Sequence, residues 1–250
     1  MNLFKIKLLV ICFFASLTFA GKRGTQVFAV SEPEKLKLKM SLVNGSIKVN
    51  EWNKSHVEFE FTKKKAVTSI VFKTNDNSIE VEVEDDVNDE GMPNVWSLFG
   101  DNSSDDEVDF VINMPYNAEK VKLETVNGDL QLKGNFDTVL ESVNGDIYVE
   151  KDSGYARIES VNGEIGIKIN KKLNEKIDLE TVNGSVEIKV PSNTNADVDI
   201  STVVGEVNTD FPIGVAKKDF VSSEIKGKLA NGGVMIKAET VNGLIRLLKN

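Results

Sequence analysis

The chain has 250 residues, with 30 Lys plus Arg against 39 Asp plus Glu, a net charge of −9, 40% hydrophobic and 28% charged residues. This is the composition of a folded globular chain, and its acidic balance excludes an electrostatic grip on nucleic-acid phosphate. One His and one Cys exclude a disulfide framework and a Cys/His zinc cluster, so no cofactor or metal is expected.

Residues 1–20 read as a secretory signal peptide. Lys5 and Lys7 form a positive n-region, Leu8 to Ala20 is almost wholly apolar, and Thr18-Phe19-Ala20 offers small residues at a cleavage site. The apolar run falls short of the roughly 20 residues a membrane helix needs, so no transmembrane segment is expected after signal removal. A second potential cut follows Ala29. Cys12 lies inside the leader, where Leu9-Val10-Ile11 argue against lipid modification, and the mature chain would be free of cysteine. The destination is extracytoplasmic: periplasmic, secreted or cell-surface. Loss of Lys5 and Lys7 would take the charge from −9 to −11.

Residues 30–250 read as one β-repeat domain. Its first third, 30–115, is irregular β: Lys35 to Met40, Ser46 to Val49, His56 to Phe61, Ser69 to Lys73, Ser78 to Glu84 and Val108 to Asn113 all alternate apolar with polar residues. They are expected to supply a first coil and a cap over the open edge of the regular repeats. Within this third, residues 84–107 carry nine acidic residues and no basic one. Asp86 to Gly91 resembles the start of a calcium loop, but Ser97 stands where the bidentate Glu belongs, so the segment reads as a solvated acidic loop. Trp96, Leu98 and Phe99 inside it either fold back on the body or dock a partner. Lone His56 reads as an ordinary strand residue.

Residues 116–250 are regular. Counting one earlier copy, Val-Asn-Gly ends at Gly45, Gly128, Gly145, Gly163, Gly184 and Gly243, and the degenerate Val203-Val204-Gly205 fills the gap. Five copies read Glu-[Thr/Ser]-Val-Asn-Gly, and most are followed by a polar residue and then alternating aliphatics, the period-two mark of strands with one buried face. Asn44, Asn127, Asn144, Asn162, Asn183 and Asn242, each with its Gly, are predicted to form turns, since Gly takes positive φ freely and Asn tolerates it next best. Two architectures fit: an antiparallel meander, or a β-solenoid in which each copy is one coil. The single-stranded solenoid explains more, because in-register stacking places identical turn residues ~4.8 Å apart and ladder hydrogen bonds replace disulfides. Stacking would also build acidic rows, Glu124-Glu141-Glu159-Glu180 and Asp129-Asp146-Glu164. Neighbouring carboxylates ~4.8 Å apart repel by about 0.9 kcal/mol in water, so these rows should face solvent or meet cations. Lys122, Arg157 and Lys168 are near enough in sequence to serve.

The serial Thr/Ser-Val-Asn-Gly-Asp/Ser-Ile units, the Val108 to Pro115 strand and the closing Gly232-Gly233-Val234-Met235-Ile236 strand resemble the DUF4097 family. This is a bacterial group of exported β-strand-repeat proteins labelled adhesins. The resemblance spans about Leu36 to Asn250 and implies an all-β repeat fold, with no catalytic residue to carry over. The expected function is non-enzymatic binding or scaffolding at the cell envelope, with an envelope protein or surface glycan as partner. Two alternatives remain: a carbohydrate-active β-helix enzyme, or an element that self-associates through solenoid ends.

Overall fold

The computed structural model describes residues 16–17, 23–63, 69–75, 77–84, 107–213, 217–218 and 222–250. Trp96, Leu98 and Phe99, with most of the acidic insert, lie outside them, as does the expected leader except Ser16–Leu17.

Each regular repeat contributes two strands because its aliphatic residues alternate, and every inward one is buried. In Asp137–Asn144 and Ile147–Lys151, for example, Leu140 and Ile147 are wholly buried while Val139 and Tyr148 point outward. The Val-Asn-Gly corner between such strands turns the chain from one sheet into the other. Two long sheets result, face to face, with the aliphatic core between them. Among the described residues the only helix is the single 3-10 turn Pro33–Lys35.

In the first sheet Lys37–Asn44, Lys120–Asn127, Asp137–Asn144, Ala156–Asn162 and Ile177–Asn183 lie side by side, parallel and in register. Their continuations Ile47–Trp52, Leu130–Lys133, Ile147–Lys151, Ile165–Ile169 and Val186–Val190 do the same in the second. Parallel pairing of successive repeats is the solenoid-like solution; a meander would have paired them antiparallel. The fold is thus all-β, with two long, mostly parallel sheets.

The order of stacking departs from chain order at both ends. The last strands, Val234–Asn242 and Ile245–Lys249, sit directly on Ile177–Asn183 and Val186–Val190. Ala196–Val204 and Val207–Thr209, which precede them in sequence, lie outside them. At the other end Ser78–Glu84 and Val108–Pro115 lie outside Lys37–Asn44 and Ile47–Trp52. The acidic insert therefore leaves and re-enters the fold where every inner unit has its Val-Asn-Gly corner.

Beyond these outer units pairing turns antiparallel. Ser69–Asn75, His56–Lys63 and Arg23–Ala29 cover one end, and Ser223–Leu229 covers the first sheet at the other. Ser16–Leu17 adds a short edge strand to Ser69–Asn75. The β domain expected from residue 30 thus also takes in Arg23–Ala29, and the Phe28 ring meets Phe59 at 5.8 Å and Phe72 at 5.3 Å. Cleavage after Ala29 would strip away this strand; cleavage after Ala20 would leave it.

Candidate functional site

The corners define one edge of the molecule. Each Asn side chain donates from Nδ2 to Oδ1 of the Asn below it: Asn127 to Asn44 at 2.8 Å, then Asn144 to Asn127, Asn162 to Asn144, Asn183 to Asn162 and Asn242 to Asn183, all at 2.9 Å. The sequence suggests Asn for its tolerance of positive φ. Among the described residues only Ala230 is a non-glycine with positive φ, so the Asn side chains serve instead as a continuous amide ladder. Glycine is needed chiefly because corners touch. At Gly145, with φ +152, a Cβ would lie 2.1 Å from the Gly128 carbonyl oxygen, and at Gly184 one would lie 1.9 Å from that of Gly163.

Neighbouring repeat positions have equally specific uses. Asp129 and Asp146 do not form a free acidic row: their Oδ1 atoms accept from the backbone N–H of Asp146 and Glu164 at 2.9 and 2.8 Å. Thr181, Thr202 and Thr240 donate to the carbonyls of Gly163, Gly243 and Gly184. The matching hydroxyls of Thr125, Ser142 and Ser160 are buried without a partner.

The glutamate row lies on the outer face of the first sheet, and cations meet it. Lys122 pairs with Glu124 at 2.6 Å and Glu141 at 3.6 Å, Arg157 pairs with Glu159, and Lys237 reaches Glu180 and Glu239 at 3.1 and 3.0 Å. Lys168, expected here, instead serves Glu150 on the other sheet, 3.5 Å away. Hydrogen bonding to Lys122 holds the Glu124 carboxyl below its ordinary pKa, and that to Asn170 does the same for Glu150. A general acid requires the opposite shift.

Beside the glutamates runs a feature that strand alternation alone did not disclose. The Val of each Val-Asn-Gly points outward: Val126, Val143, Val161, Val182 and Val241 are each about 40% exposed, and Val43 and Val203 at the ends are 57% and 56% exposed. They line up between the glutamate row and the Asn ladder, and with the glutamates they line a groove of about 1130 Å³ along the stack. The signal was present in the sequence, since a Val two residues after an outward Glu shares its face. Its invariance among the inner copies invites a core assignment instead.

The outer face of the second sheet has a different character. The Tyr148 ring lies over Gly166, where an added Cβ would come within 2.8 Å of it, and the residue is 44% exposed. Burial and the nearby Asp146 raise its phenol pKa. Lys48, Gln131, Glu164 and Lys168 surround it in a shallow groove of about 830 Å³. Away from both faces, Lys151 is buried below the looser turns, and its Nζ donates to the carbonyls of Phe136 and Tyr155 at 2.7 and 2.8 Å. Among the described residues no cluster of three His, Cys, Asp or Glu side chains could hold a metal ion.

Two parallel, in-register sheets joined at laddered corners define the class: an all-β, solenoid-like repeat protein. The Toastrack DUF4097 family profile matches residues 13–248, and the chain belongs to that family. Among solved structures, the chain is similar to a candidate cell adhesion protein from Clostridium sporogenes, with 14% identity and a TM-score of 0.49, over 92% of this chain and 99% of that one. It is also similar to a candidate adhesin from Bacteroides fragilis, with 11% identity and a TM-score of 0.32, over 92% and 97% of the two chains. No curated protein matches it.

Proposed function

We propose that this chain is a non-enzymatic, adhesin-like scaffold of the bacterial cell envelope, exported by its N-terminal leader, that works by docking along the valine stripe. The Val-Asn-Gly units are the coils of a short β-solenoid, and the irregular N-terminal strands are its cap. The observation that carries the reading is the stripe itself, a contiguous apolar row rimmed by cation-paired glutamates and amide groups. Isolated apolar residues on a surface need no explanation, whereas an aligned row of this length marks an interaction site. The chemistry on either side supports binding over catalysis, because the glutamate row is engaged by cations and Asp129 and Asp146 by backbone N–H groups.

The test replaces Val143 and Val161 with Lys and measures retention of the exported protein in the envelope fraction. Retention should fall several-fold while the circular-dichroism melt stays unchanged, and full retention would refute the docking face. Tyr148 favours a second reading, a surface glycan stacked on the ring lying over Gly166, since an exposed aromatic face with polar neighbours suits a sugar ring. Tyr148→Ala should then abolish binding to immobilised envelope polysaccharide, and undiminished binding would dismiss this reading.

A further inference from the structure

Resting on that reading of the stripe as a docking face, we propose that its occupant is a second copy of this chain, in a parallel dimer whose two-fold axis runs along the valines. Spacing is the first argument. Every strand pair through the stack is in register, so Val43, Val126, Val143, Val161, Val182, Val241 and Val203 form a continuous row with a step of ~4.8 Å. An extended peptide laid along this row would present side chains to it about every 6.6–6.8 Å and would fall out of step within a few residues. Another in-register β-stack has the same step, and the nearest such object is this protein itself. Valine rows of equal spacing can meet valine to valine along their whole length, as identical side chains do between paired sheets.

Polar complementarity selects the parallel arrangement. The stripe has glutamates on one side and the Asn ladder on the other. A two-fold axis along the row lays the glutamates of one copy against the asparagines of its partner, on both sides. Each Asn amide has two N–H donors and spends one on the ladder, so the other is available to a carboxylate. An axis across the row would set glutamates against glutamates. The extent also suits a dimer: six steps make a strip about 29 Å long. Glutamate to asparagine spans about 10 Å of strand, so the strip covers roughly 300 Å² per partner, below the ~800 Å² of an ordinary interface and suited to a weak, concentration-dependent dimer. The stack ends, the alternative place for self-association, are less suited, because antiparallel strands cover both sheets at one end and the first sheet at the other.

The test is sedimentation of the purified protein over a range of concentrations, followed by site-directed cross-linking. At the higher concentrations the wild type should sediment as a dimer, and Val143→Lys with Val161→Lys should sediment as a folded monomer with an unchanged melt. A wild type monomeric at every concentration overturns the dimer, as does a dimer indifferent to these substitutions. A monomer that dimerises only when residues 85–106 are deleted also overturns it, since the stripe would then be covered by the chain's own insert. In a Cys12→Ser background, Val126→Cys, Val161→Cys and Val241→Cys should each cross-link to themselves, because a two-fold axis along the row brings every position onto its own copy. Cross-linking at Val161 alone, the middle of the row, overturns the parallel arrangement. If the dimer fails while the lysine substitutions still release the protein from the envelope fraction, the docking face stands and its occupant is something else.

Discussion

The inner units and the two outermost ones obey different rules. From Asn44 to Asn242 each corner is Asn-Gly, and the amide ladder runs without a break. The outermost corner at one end is Val204-Gly205, and at the other the acidic insert replaces the corner altogether. Neither interrupts the ladder, because the chain doubles back at each end to bury an Asn-Gly unit inside a unit that lacks one. Stacked in chain order, Val204 would fall between Asn183 and Asn242 and leave their amides unmatched. Corner identity thus decides stacking order where chain connectivity leaves a choice.

The largest way to break this contrast is to fill a corner. Gly145→Val adds a side chain where the Gly128 carbonyl already sits and demands φ +152 of a β-branched residue. The loss should be roughly 3 kcal/mol or more in urea unfolding. Filling the looser edge should be milder: at Gly154 an added Cβ comes no nearer than 3.4 Å to Lys151, so Gly154→Ala should lose about 1 kcal/mol, for its φ of +98 alone.

That looser edge also holds the clearest pH dependence. Burial lowers the Lys151 pKa from 10.5 to about 8. Below about pH 8 the group is charged in both folded and unfolded chains and its penalty is complete; above 10.5 it is neutral in both and the penalty is gone. Stability should therefore rise between these values by roughly 3 kcal/mol relative to Lys151→Met, measured by unfolding each protein across the window. Equal pH profiles for the two would show that the ammonium is not desolvated.

Smaller changes sharpen the ladder itself. Asn162→Ala removes two amide bonds from its middle and should cost about 1–2 kcal/mol in urea unfolding. Val204→Asn would carry the ladder one step outward onto Asn242 and should gain about 0.5 kcal/mol, a rise in Tm of a degree or two. The exposed ion pairs come last: Lys122→Gln frees Glu124 and Glu141 but should change the unfolding free energy by less than about 1 kcal/mol, and less still in high salt.

Much of this architecture was legible in the chain. Alternation named the buried residues, since a strand offers only two faces and the apolar one must be covered. The repeat named the units that can stack, since identical turns align only in register. The outward valines were not read there: the two-residue spacing of Glu and Val carries the signal, but a Val repeated in every inner copy looks like a core residue. Stacking order was not legible, because like units make nearly equivalent contacts with any neighbour, and only the whole set of corners shows which order leaves no amide unmatched. Nor was the work of Asn, which lies between units and not within one. Lys151 carries no local mark of burial, and its surroundings come from three separate turns. Sequence by itself determined which residues turn inward and where each unit bends, because those follow from the chain's own period. Tertiary structure alone decided which unit lies beside which, and so gathered the outward valines into one continuous surface.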